Sequence, residues 1–104
     1  MIAVFNAELN RCQRELSLKQ YEASINTDKL EQVTTKLTDL EAIYGKKNLI
    51  NNSAYKDLVS YQMTYDTKKD SLESEMKILE ASITTYKSAR NENIKKEVSF
   101  WCFG

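Results

Sequence analysis

Side chains able to do chemistry are scarce in this sequence, and their spacing does not assemble a site. Histidine is absent, which removes the commonest general base and the commonest metal ligand. The two cysteines, Cys12 and Cys102, lie near opposite ends of the chain. Two thiols without histidine do not complete a four-ligand structural zinc site, and the Glu-x-x-His pattern of helical di-iron bundles cannot be written. Glycine occurs only at Gly45 and Gly104, so no glycine-rich phosphate loop can form. Serine and threonine are plentiful, but none has a base beside it. The expectation is a protein that is not an enzyme and holds no cofactor or metal.

The elements that would position any site follow from what the chain lacks. It has 104 residues, no proline, and 15 basic against 15 acidic side chains. That length allows one small domain. Sandwiches and barrels need frequent turns built from Gly, Pro or Asn, so the composition points to helices. Charge balances locally as well, with seven of each sign in residues 1–52 and eight of each in residues 53–104. This excludes a nucleic-acid stripe and weighs against peripheral membrane contact. No run is long enough to span a bilayer. The apolar stretch at the N-terminus ends at Asn6, too short for a secretory signal. The expected location is the cytoplasm, or outside it by export without a cleaved signal.

Apolar residues recur at alternating three- and four-residue steps along a first arm. They are Ile2, Phe5, Leu9, Cys12, Leu16, Ala23, Leu30, Val33, Leu37, Leu40 and Tyr44, with Lys19 and Asn26 as polar interruptions. A repeat held this long is the heptad signature of a helix with one seam. Lys19 can lay its stem along the seam with its ammonium in water. Asn26 either sets register or is merely tolerated on a half-wet seam. A second arm repeats the spacing at Tyr55, Leu58, Gln62, Tyr65, Lys69, Leu72, Met76, Leu79, Ile83 and Tyr86. Beyond Tyr86 that register turns polar at Arg90 and Asn93, and the apolar residues reappear one step over at Ile94, Val98 and Trp101. Such drift is ordinary for a helix measured against a strict heptad.

Gly45 after Tyr44 reads as a left-handed helix stop, although a helix continuing through this point is the competing reading. Asn52 or Ser53 reads as the next N-cap. The expected organisation is helix 1 over about 3–44, a turn over 45–53, helix 2 over about 54–98 and an aromatic tail over 99–104. The fold class is all-α, a long antiparallel two-helix hairpin of coiled-coil type, assembled into a helical bundle. Folding the arms together so that facing residue numbers sum to 98 or 99 pairs Tyr44 with Tyr55, Asn26 with Leu72 and Cys12 with Tyr86. Leu49 and Ile50 are expected to fold over the hairpin's end.

A lone hairpin buries little, and Leu18, Ile25, Ile43, Val59, Tyr61, Met63 and Ile78 lie off the seam. These broaden the apolar stripe towards bundle-like burial. The consecutive Phe100, Trp101, Cys102 and Phe103 need a cover, whether Ile2 and Phe5 of the same chain, a docking partner or a membrane. Cys12 on the seam reads as a small hydrophobe, and Cys102 is open to cross-linking between chains. The leading expectation is a structural or protein-interaction module that self-associates or binds another helical protein. Its candidate anchors are Phe5, Leu9, Tyr86, Ile94, Trp101 and Phe103. The two heptad-bearing arms and the short turn KKNLINNS resemble the small hairpin subunits of bacterial secretion needles. That resemblance implies, as the alternative, an adaptor, chaperone or subunit of a secretion or surface-appendage system. Those subunits turn through an Asn-rich loop containing proline; this turn keeps the Asn and lacks proline.

Overall fold

With no proline to break the hydrogen-bond ladder, each arm is free to propagate as a helix, and its stability rests on burying one face. The structure, a computed structural model, describes the backbone of residues 2–103 and the side chains of residues 3–96. Helix α1 spans Ile2–Tyr44, α2 is one turn at Lys46–Leu49, and α3 spans Ser53–Phe103. Helices α1 and α3 pack as an antiparallel hairpin, with no strand among the described residues. Contacts group into two units, Tyr21–Glu73 around the turn and Met1–Gln20 with Ser74–Gly104 around the termini.

In the turn unit the seam is where the spacing puts it. Ala23, Asn26, Leu30, Val33, Leu37 and Leu40 of α1 are buried or half-buried, and so are Tyr55, Leu58, Gln62, Tyr65 and Leu72 of α3. Lys69 and Tyr44 are exposed. Asn26 is only 3% exposed, and its side-chain amide donates to the Tyr65 carbonyl of α3 at 2.9 Å. A buried amide is tolerated when it is hydrogen-bonded. Asn26 is therefore part of the helix–helix contact rather than a residue tolerated at a wet edge.

The cross-links overturn the facing register expected from sequence. Gln62 Nε2 donates to Thr34 Oγ1 at 3.2 Å, and Tyr55 Oη donates to Glu41 Oε1 at 2.7 Å. Residue numbers across both bonds sum to 96, and a seam-to-seam sum of 95 satisfies them. The Asn26–Tyr65 bond sums to 91, and the carbonyl oxygen lies towards the C-terminus from its own residue, so this bond too falls below the expected 98 or 99. Helix α3 thus sits about 5 Å along α1 from the expected position, three to four residues at ~1.5 Å each. In the turn unit this sets Leu37 level with Leu58, Leu30 with Tyr65 and Ala23 with Leu72.

The terminal unit follows the same count. Lys19 Nζ pairs with Glu75 Oε2 of α3 at 2.8 Å, a sum of 94. Leu9 and Cys12 are buried, and Phe5, Leu16, Met76, Leu79, Ile83 and Tyr86 are half-buried. Cys12 is a buried free thiol. Past Tyr86 the half-buried positions are Ala89, Arg90 and Asn93, while Ile94 is exposed. Backbone geometry keeps the seam direction here after the apolar residues have left it.

The turn is built from backbone-satisfying side chains. Gly45 N–H donates to the Glu41 carbonyl at 2.9 Å and closes α1. Asn48 Nδ2 takes the Tyr44 carbonyl at 2.7 Å. Asn52 is the cap of α3, its Oδ1 accepting from the Tyr55 N–H at 3.0 Å. Gly45 has φ 77° and ψ 146°, positive φ with an extended ψ, and not the left-handed helical stop expected from sequence. The difference arises because α2 starts at once, so Gly45 acts as its leading residue, where ψ is extended. Leu49 is buried as expected, but Ile50 is exposed and does not cover the end.

Two substitutions test this account. Gly45→Ala meets no heavy atom within 4 Å of the new Cβ. Its cost is backbone strain alone, expected at about 1–3 kcal/mol in chemical denaturation. Asn26→Asp places a carboxylate against a carbonyl oxygen with no proton to donate, expected to cost about 3 kcal/mol at neutral pH. Burial raises the folded-state pKa of the new carboxyl. Relative to the natural chain, the deficit is therefore full above that raised pKa and shrinks as pH falls through it.

Candidate interaction surface

The residues left over after the seam is filled define what this chain leaves open to solvent. Of the anchors named from sequence, Leu9 is buried inside the hairpin and Phe5 and Tyr86 are half-buried along it. Ile94 is 42% exposed. Trp101 and Phe103, with Cys102 and Phe100, lie outside the described side chains, as does the expected cover residue Ile2. In the terminal unit Phe5, Leu9 and Tyr86 share the seam, and Ile94 lies off it.

The open apolar side chains fall elsewhere. In the terminal unit Val4 and Leu18 of α1 and Ile78 of α3 are well exposed. A shallow groove along α1 is lined by Ala7, Asn10, Gln13, Arg14, Ser17 and Leu18, and Ile78 edges a second one with Ala81, Ser82 and Thr85. In the turn unit Tyr21, Tyr61 and Met63 are exposed on the helices. The densest group is at the turn, where Ile43 is 71% exposed, Tyr44 56% and Ile50 60%. Lys46, Lys47 and Lys56 stand exposed beside them. Sequence spacing missed this group because it assigned Tyr44 to the seam and Ile50 to a cover. A facing sum of 95 centres the turn between Lys47 and Asn48, leaving Tyr44 beyond the last packed layer. That sum could not be chosen without the cross-links.

Polar groups around these surfaces are engaged locally. Arg11 pairs with Glu8 and Glu15 on α1 at 2.9 Å each, and hydrogen bonds to these two carboxylates raise its pKa. At the base of the turn the Tyr55 hydroxyl is bound to Glu41. Its pKa is raised above 10.0, first by that hydrogen bond, then by desolvation and by the carboxylate's charge. Among the described residues no group of His, Cys, Asp and Glu side chains could hold a metal ion. No described helix is long and apolar enough to cross a membrane. Comparison with protein-family models, curated proteins and solved structures found no match.

The Tyr55–Glu41 bond has a pH signature. A raised tyrosine pKa means that the folded state holds the proton more tightly than the unfolded chain. Its stabilisation is thus complete below pH 10 and lost as pH rises through the folded value. Tyr55→Phe is expected to lower the melting temperature at neutral pH. The difference from the natural chain should close as the pH is raised beyond 10 in parallel thermal melts.

Proposed function

We propose that this chain is a non-enzymatic structural or protein-interaction module. It packs, in coiled-coil fashion, against copies of itself or against another helical protein. The observation that carries the reading is in the terminal unit. There Leu9 and Cys12 occupy the hairpin's own seam, while Val4, Leu18 and Ile78 remain open to solvent. Val4, Ala7, Arg14 and Leu18 follow the helical repeat on the side of α1 away from that seam, a second face available for packing. The internal core is thin. Among the described residues only Leu9, Cys12, Leu37, Leu49 and Leu72 are buried hydrophobics, and a chain this short gains most from further burial by association. The aromatic run at Phe100–Phe103 is the other element of the proposed interface, on grounds of its sequence alone.

Sedimentation tests the reading. The natural chain at tens of micromolar is expected to run as a dimer or larger, and a stable monomer would overturn self-association. Leu18→Glu combined with Ile78→Glu is expected to shift the mass towards the monomer. Both side chains are exposed, so helicity by circular dichroism should not change.

A further inference from the structure

The turn concentrates apolar exposure and positive charge in one place. Between Glu41 and Asp57 the chain carries Lys46, Lys47 and Lys56 and no acidic residue. Balance over each half of the sequence hides this local excess. The nearer carboxylate, Glu41, is occupied by the Tyr55 hydroxyl, and Asp39 and Asp57 lie in the helices behind the turn. In front of them Ile43, Tyr44 and Ile50 are open to solvent, while Leu49 is buried beneath. The turn is an ordered platform. Asn48 holds the Tyr44 carbonyl, Asn52 caps α3, and the backbone bonds Asn48 N–H to Gly45 and Asn52 N–H to Leu49 close the rest.

From this juxtaposition we propose that the turn docks on an anionic lipid surface, with Ile43 and Ile50 entering the headgroup–acyl boundary, Tyr44 at the interface, and Lys46 and Lys47 against the headgroups. Charge decides among the occupants. A second copy of the same turn would bring lysines against lysines. Nucleic acid would satisfy the lysines but leave two isoleucines without an apolar environment. An anionic bilayer surface accommodates both, because it offers negative charge at the level of the ammonium groups and hydrocarbon just below. Tyrosine, with an apolar ring and a polar tip, suits the boundary between them. Three lysines and two aliphatic side chains make a weak, reversible contact that depends on salt and on lipid charge.

Vesicle co-sedimentation of the full chain tests this, using phosphatidylcholine vesicles with and without a substantial fraction of phosphatidylserine. The chain is expected to pellet with the anionic vesicles, to stay in solution with the neutral ones, and to be released by high salt. Lys46→Gln with Lys47→Gln is expected to weaken binding roughly 10- to 30-fold, from the contribution of each basic residue near an anionic surface. Ile43→Ser with Ile50→Ser should weaken it comparably. All four side chains are exposed, and unchanged circular dichroism establishes that the variants are folded. Failure to bind anionic vesicles would overturn the proposal. So would equal binding to neutral ones, or undiminished binding by the folded turn variants, which would place the contact elsewhere on the chain. Self-association is read separately, by sedimentation without lipid, so the two proposals stand or fall apart.

Discussion

The buried amide of Asn26 and the carbonyl of Tyr65 constrain the hairpin more than any apolar pair does. Leucines slide past one another with little penalty, since dispersion and burial have no direction. An amide on a closed seam has to find an acceptor, or lose about 1–3 kcal/mol through desolvation. Its partner is a backbone carbonyl of α3, so the bond fixes the two helices relative to each other along the seam. The Asn26–Tyr65 bond therefore favours one alignment among several that satisfy the leucines nearly as well, the best-attested role of a buried polar seam residue.

The turn inherits that choice. An alignment centred between Lys47 and Asn48 gives α2 its place across the end of the helix pair, with Leu49 directed inwards and Ile43, Tyr44 and Ile50 left outside. Chain reversal in so few residues needs a backbone geometry that a side chain disfavours, and Gly45 supplies it with positive φ and extended ψ. The exposed apolar group at the turn follows from register and reversal together.

Much of the architecture was legible in the sequence. The three–four repeat identified the buried stripe of α1 from Phe5 to Leu40, because helical periodicity is local and needs no partner to be read. Gly45 and Asn52 marked the helix ends through local backbone chemistry. The apolar side chains left open to solvent were far less legible. Leu9 satisfied the pattern of an apolar anchor, yet its surface is consumed by the chain's own second helix. Ile94 stood in the drifting apolar stripe, yet the seam beside it continues through Arg90 and Asn93. Spacing identifies a stripe, but not how much of that stripe the molecule uses itself.

By itself, then, the sequence determined helix, seam, reversal point and the absence of histidine. Each follows from residue type and from periodicity within one segment. Only the tertiary structure decided the alignment of α3 on α1, and with it which apolar side chains face solvent at the turn. The reason is that a heptad pattern is nearly degenerate under slides of one half-repeat. The degeneracy is broken by cross-helix bonds, namely Asn26 to Tyr65, Gln62 to Thr34, Tyr55 to Glu41 and Lys19 to Glu75, whose partners are far apart in the chain and carry no local signature.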